Sequence, residues 1–166
     1  MHLIRSLSIN EVPLIQALAH KIWPIAYKEI LSQVQLDYML NWMYSIESLT
    51  QQMQEGHHYF GIHEADEIVG FIDVQPNYPI SVLKLNKIYV LPAFHGKGFG
   101  FQLIQFAINF AENEQQKTIE LQVNRQNKAK DFYTKIGFTI KEEKDFDIGN
   151  GYYMNDFVME YLLKAL

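Results

Sequence analysis

Apolar positions along this chain switch between a period near two and a period near 3.6, and the switches divide it into elements. Leu3 to Leu7 is short enough for one strand. A helix pattern follows over Glu11 to Ile22, with Leu14, Ile15, Leu18 and Ile22 at helical spacing, Asn10 as its expected N-cap and Pro24 as its expected end. After a loop at Ala26 to Leu31, Ser32 and Gln35 have capping-box spacing and open a helix through Leu36, Met39, Leu40 and Met43. Ser45 caps a further helix that ends near Gly56.

From His58 to Val74 the period falls to that of strands. Tyr59 to Ile62 and Ile68 to Val74 flank Ala65-Asp66-Glu67, the pattern of a hairpin. Gln75 to Pro79 is a loop, and Val82 to Val90 is the next strand, stopped by Pro92. His95-Gly96-Lys97-Gly98-Phe99-Gly100 then leads into a helix whose Phe99, Leu103, Phe106, Ala107 and Phe110 form one apolar row. Thr118 to Val123 is a strand. A helix capped by Asn127 carries Ala129, Phe132, Tyr133 and Ile136 and stops at Gly137. Phe138 to Phe146 and Tyr152 to Leu163 form a last hairpin around Gly149-Asn150-Gly151. This order predicts an α/β (α+β) domain: a mixed sheet with helices on both faces.

Composition narrows the function. The chain is 166 residues long, the size of one domain, so residues 1–166 are expected to form a single unit. Cysteine is absent, which excludes disulfides, thiolate metal sites and cysteine nucleophiles. A net charge of −5 without a basic face argues against nucleic acid and mildly favours a cationic partner such as an amine. No apolar run approaches a membrane span, so the expectation is a soluble, cytoplasmic protein with no membrane partner. His57, His58 and His63 lack carboxylate or thiolate partners at ligand spacing, so no metal is expected.

The glycine loop is the strongest chemical signal. Glycines admit positive φ and close backbone approach, and the first N–H groups of a helix favour an anion. The loop lacks the Gly-Lys-Ser/Thr ending of a Walker A loop, and its Gly-x-Gly-x-Gly spacing is not that of a dinucleotide fingerprint.

The succession Leu85-x-x-Ile88-Tyr89-Val90-x-Pro92, x-x-Gly98-x-Gly100, Leu121-x-Val123, Asn127 and Phe132-Tyr133-x-x-x-Gly137-Phe138 closely resembles the GNAT superfamily of N-acetyltransferases. The resemblance covers about residues 58 to 162, with its motif core at 84 to 138. It implies a mostly antiparallel sheet of six to seven strands with one bulged, splayed strand. It further implies acetyl-CoA as cofactor. By that likeness His95, Gly96, Lys97, Gly98, Phe99 and Gly100 wrap the pyrophosphate, and Ile88, Tyr89 and Val90 lie along pantetheine. The Val90 N–H polarises the thioester carbonyl, Asn127 contacts the cofactor, and Tyr133 protonates the departing thiolate. Phe132, beside it, is expected to face the core.

Two positions depart from the family pattern. His95 stands where Arg or Gln is usual, and Lys84 occupies the place of a frequent Glu general base. A water chain, Glu29, Asp73 or Asp156 then remains for the acceptor's proton. The acceptor is expected to be a small-molecule primary amine, and the acidic, aromatic final hairpin resembles that of polyamine acetyltransferases. An N-terminal peptide acceptor and a non-catalytic acyl-CoA sensor are the alternatives. A homodimer is expected from the family likeness. Trp23, Tyr27, Tyr38, Trp42 and Tyr44 either fill the core or wall a substrate pocket.

Overall fold

The computed structural model describes residues 2–164, leaving Met1, Ala165 and Leu166 outside the described residues. Among the described residues the chain forms seven strands and five α-helices. In chain order they are β1 Ile4–Ser6, α1 Val12–Ala26, α2 Gln33–Tyr44, α3 Ile46–Gln54, β2 His58–Glu64, β3 Glu67–Gln75, β4 Val82–Val90, α4 Phe99–Asn113, β5 Thr118–Asn124, α5 Ala129–Ile136, β6 Thr139–Gly149 and β7 Tyr152–Leu162. The strand order is β1-β2-β3-β4-β5-β7-β6. Of the strand pairs, β1/β2, β2/β3, β5/β7 and β6/β7 are antiparallel and β4/β5 is parallel. The mixed, mostly antiparallel sheet is the one the sequence predicts.

The chain divides into two compact units, residues 1–75 with 87–107 and residues 76–86 with 108–166. In the first, β2 and β3 pair in register from His58↔Val74 to Ile62↔Gly70, so alternate side chains sort to opposite faces. Tyr59 and Phe71 face α1, α2 and α3, with Phe71 edge-on to Tyr44. Phe60, on the other face, packs on Phe106 of α4 at 4.6 Å between ring centroids. Ile15, Leu18, Ile22, Trp23, Leu40 and Leu49 complete this core.

Local chemistry sets the helix boundaries. Ser32 and Ser45 accept the backbone N–H groups of Gln35 and Ser48, as their spacing predicts. The entry to α1 differs from expectation. The cap is Ser8, whose N–H donates to the Glu11 carboxylate at 2.9 Å, and a single 3-10 turn, Ile9–Glu11, precedes the helix. Pro24 does not end α1 either. It removes only its own N–H, while Tyr27 N–H still reaches the Trp23 carbonyl and buried Ile22 and Trp23 hold the last turn in place.

In the second unit β5 and β7 pair from Thr118↔Leu162 to Asn124↔Asp156, and β6 flanks β7. Lys117 N–H closes the start of β5 onto the Ser81 carbonyl. Gly137 ends α5 at φ 121°, and its N–H reaches the Tyr133 and Thr134 carbonyls. The β4/β5 ladder runs from Val82↔Thr118 to Leu85↔Leu121 and stops there, although β4 continues to Val90 and β5 to Asn124.

Candidate acyl-transfer site

In the first unit, β4 ends at Val90, a 3-10 turn spans Pro92–Phe94, and the glycine loop delivers α4. Gly96 and Gly98 have φ of +75° and +84°, values an L side chain adopts only under strain, and nothing lies within 4 Å of where a Cβ would stand. The glycines are therefore required by backbone conformation and leave an open surface at the start of α4. The amides of Phe99, Gly100 and Phe101 there have no partner within the helix. Buried Phe99, packed on Phe94 and on the His2 ring, fixes that first turn. Lys97 lies over the Phe94 ring at 4.9 Å and is exposed.

The side chain of His95 turns back on β4. Its Nε2 lies 2.8 Å from the Val90 carbonyl oxygen, so the imidazole donates back to β4 instead of reaching into the loop. On the other side of the strand, Leu91 N–H donates to the Val69 carbonyl, and Gly70 sits so close to β4 that a Cβ would stand 2.7 Å from the Tyr89 carbonyl oxygen. The segment Ile88 to Val90 is thus fixed by a side chain, a backbone bond and a steric contact.

Behind it lies a buried polar network. Asp73, fully buried on β3, accepts from Lys87 Nζ at 2.8 Å and from His57 Nδ1 at 2.8 Å. Lys87 also donates to Gln52 Oε1 at 2.6 Å, which accepts from the Tyr59 hydroxyl as well. Burial pushes the Asp73 carboxyl up, but Lys87 and His57 outweigh it and hold the group below its ordinary value. Asp73 is therefore an ionised carboxylate held by both Lys87 and His57. Glu29 is exposed on the turn after α1. Trp23 and Tyr44 are core residues joined by Trp23 Nε1–H donating to the Tyr44 hydroxyl, and Trp42 is exposed on α2, stacked with Tyr38. Tyr27 and Tyr89 share a hydroxyl contact of 2.9 Å, and the Tyr89 ring turns into the aromatic cluster beside Trp23 and Phe71.

In the second unit, α5 lies against the Tyr161 face of β7. Phe138 is 5.3 Å from the Tyr161 ring, Tyr133 is 5.8 Å from Phe138, and a Cβ on Gly137 would stand 3.2 Å from the Tyr161 ring. Tyr133 is buried and Phe132 half-buried, the reverse of the sequence expectation, because the buried stripe of this short helix passes through Tyr133. Asn127 precedes the N-cap, Lys128, and its Oδ1 accepts from the Ala129 N–H at 2.9 Å, leaving the amide nitrogen for other contacts. Lys84 is half-buried beside Glu120 at 3.8 Å. Burial pulls its ammonium below the ordinary value, and Glu120 and Asp156 offset part of that.

Much of the acidic final hairpin is used internally. Arg125 pairs with Glu143 at 3.1 Å and with Asp145, Lys141 pairs with Glu120, and Asp147 accepts the Gly149 N–H inside the turn. Among the described residues no group of histidines and carboxylates could hold a metal ion, and no helix is long and apolar enough to cross a membrane.

The acetyltransferase (GNAT) domain profile matches residues 27–152. This chain belongs to the GNAT acetyltransferase family. It is 36% identical over 80 residues to an uncharacterized N-acetyltransferase of Methanocaldococcus jannaschii, a match covering 45% of this chain and 35% of that protein. The chain thus spans about a third of that relative's length. Among solved structures it resembles the PaiA N-acetyltransferase of Thermoplasma acidophilum, in complex with coenzyme A. The TM-score is 0.81 and the identity 25%, over 98% of this chain and 99% of that one. A spermidine/spermine N-acetyltransferase of Vibrio cholerae, SpeG, has a TM-score of 0.71 over 98% of this chain and 94% of that one. At 21% identity this likeness shows the fold alone.

Proposed function

We propose that this chain is an acetyl-CoA-dependent N-acetyltransferase that passes an acetyl group to a primary amine by direct attack. The observation that carries this reading is the end of β4: Gly96 and Gly98 at positive φ, open space above them, and α4 starting at once, in a chain of the GNAT family. Such a cradle of amides fits a pyrophosphate, and the coenzyme A complex of the Thermoplasma protein supports that guest. The family profile runs through both compact units, which supports reading them as one catalytic domain.

Each residue then has a chemical role. The backbone of His95, Gly96, Lys97, Gly98, Phe99 and Gly100 receives the phosphates. Ile88, Tyr89 and Val90 pair through their backbone with pantetheine, as a further strand would. The Val90 N–H stabilises the negative charge that develops on the thioester oxygen, and Tyr133 donates its phenolic proton to the leaving sulfur. Asn127 binds through its amide nitrogen. Acetyl-CoA supplies the activated acyl group; the chain supplies position and proton transfer. With Glu143 and Asp145 engaged by Arg125 and Asp147 by the hairpin turn, the acceptor is a small cationic amine, polyamines included, recognised by fewer carboxylates than the sequence count suggests. The absence of cysteine accords with work in the cytoplasm.

Tyr133→Phe tests the assignment. The expected result is a fall in kcat on the order of 100-fold with unchanged acetyl-CoA affinity. An unchanged kcat removes Tyr133 from the chemistry.

A further inference from the structure

Among the described residues of the second unit, Asp156 is the one carboxylate that is both buried and without a hydrogen-bond or ion-pair partner. Its residue is 2% exposed. Among the described residues its side chain makes no hydrogen bond, while the two cations that favour its charged form are paired elsewhere, Arg125 with Glu143 and Asp145 and Lys84 with Glu120, and Lys144, its register partner on β6, lies over the Phe146 ring. No fully enclosed side-chain oxygen or nitrogen in the described residues lacks a partner. The slight exposure that Asp156 retains therefore lies on its carboxylate oxygens. A buried carboxylate without a donor is costly, and a cationic ligand would remove that cost.

Its place on the sheet is informative. Asp156 pairs with Asn124, and Val158 with Gln122, on one face of β5/β7. Phe157, Met159 and Tyr161 pair with Val123, Leu121 and Ile119 on the other, the face that α5 covers. Asp156 and Tyr133 therefore lie on opposite faces of the same strands. Asn124 is the last residue of β5, three positions before Asn127, and at that end β5 has run past the last β4/β5 pair, Leu85↔Leu121.

We infer that Asp156 binds the acceptor's ammonium group and takes its proton, from the sheet face opposite Tyr133. This rests on the acetyl-transfer reading. The carboxylate removes one proton from R–NH3+, and the amine lone pair forms the C–N bond. The C–S bond breaks with its electron pair leaving on sulfur, which Tyr133 protonates. The second nitrogen proton departs to solvent as the amide forms and is balanced by reprotonation of Tyr133, so one proton is released per turnover through Asp156. The charged groups that face Asp156 are Lys84 on β4, Arg125 after β5, and Lys144 and Asp145 on β6, with Glu120 beyond Lys84. Burial outweighs the two nearest cations and pushes the carboxyl up to about 6, a value suited to accepting a proton near neutral pH.

The test uses the full chain, with spermidine as probe. The Asp156 carboxyl resonance, followed by NMR, should titrate near 6 and move to lower pH when spermidine is added without acetyl-CoA. Asp156→Asn should keep its acetyl-CoA affinity and lose kcat/KM for spermidine by on the order of 10²–10⁴-fold, together with the acidic limb of the wild-type pH profile. Lys84→Met, which removes a nearby cation, should move that limb to higher pH. That keeps the test valid if Asp156→Asn does not fold. An Asp156 resonance indifferent to spermidine, or an Asn variant with the wild-type profile, overturns the inference. A wild-type chain that binds acetyl-CoA but acetylates no amine overturns the acetyl-transfer reading instead.

Discussion

His95 Nε2 stands 2.8 Å from the Val90 carbonyl oxygen, tying the first residue of the glycine loop to the last residue of β4. The residue that departs from the family pattern thus braces the strand end from which a thioester would be held. His95→Ala should weaken coenzyme A binding roughly five- to ten-fold, the worth of one hydrogen bond of about 1–1.5 kcal/mol. His95→Gln, which keeps a donor, should stay near wild type. Calorimetric titration with coenzyme A checks both, and an Ala variant of undiminished affinity shows that the bond does not matter to the ligand.

Gly70 approaches β4 so closely that a Cβ would lie 2.7 Å from the Tyr89 carbonyl oxygen. That neighbour is backbone and can give way only by moving the strand. Gly70→Ala should cost about 1–3 kcal/mol, as overpacking does, and weaken coenzyme A binding more than it weakens the fold elsewhere. Chemical denaturation and the same titration measure the two effects. Unchanged stability contradicts the contact.

The Asp73–Lys87 pair is buried, so removing one partner strands the other. Asp73→Asn and Lys87→Met should each destabilise by about 3–5 kcal/mol, and the double change by clearly less than the sum. The Asp73 carboxyl is held below its ordinary value in the folded chain, so its contribution is complete above about pH 4, where the unfolded group is ionised, and is lost as pH falls through the lower folded value. Tm measured downward from pH 6 should fall steeply at the acid end in the wild type and less so in Asp73→Asn.

Asp156 has the opposite sign. Its folded value, about 6, lies above the ordinary 3.8, so the folded chain holds the proton more tightly and ionisation works against folding. Stability is lost between about pH 4 and pH 6. Asp156→Asn should therefore be the more stable protein at pH 7, by at most about 3 kcal/mol and by less where solvent reaches the oxygens, with the gap closing towards pH 4. A Tm difference that does not change with pH would mean that the carboxylate is not strained.

The elements most legible in the sequence are those set by local chemistry. Ser32, Ser45 and Gly137 act where their spacing places them because a cap is a bond to the next few residues. Pro24 misleads for the converse reason: burial of Trp23, a tertiary effect, keeps the helix going past it. The glycine loop between β4 and α4 is readable from motif spacing. The His57–Asp73–Lys87–Gln52 network is not, since it depends on which strands adjoin. A trace of it lies in the alternation of β3, where Asp73 shares its face with Phe71, and of β4, where Lys87 shares its face with Tyr89. For Asp156 the sequence offers a candidate carboxylate; that Arg125 and Lys84 are paired elsewhere is known only from the folded chain.

The central claim is amine-dependent acetyl transfer, and the most direct measurement is release of free coenzyme A from acetyl-CoA across a panel of polyamines, simple primary amines and N-terminal peptides, with the acetylated product identified by mass. The predicted result is release that requires a small cationic amine and matches the acetylamine formed mole for mole. Tight binding of acetyl-CoA with no amine-dependent release from any member of the panel would contradict it.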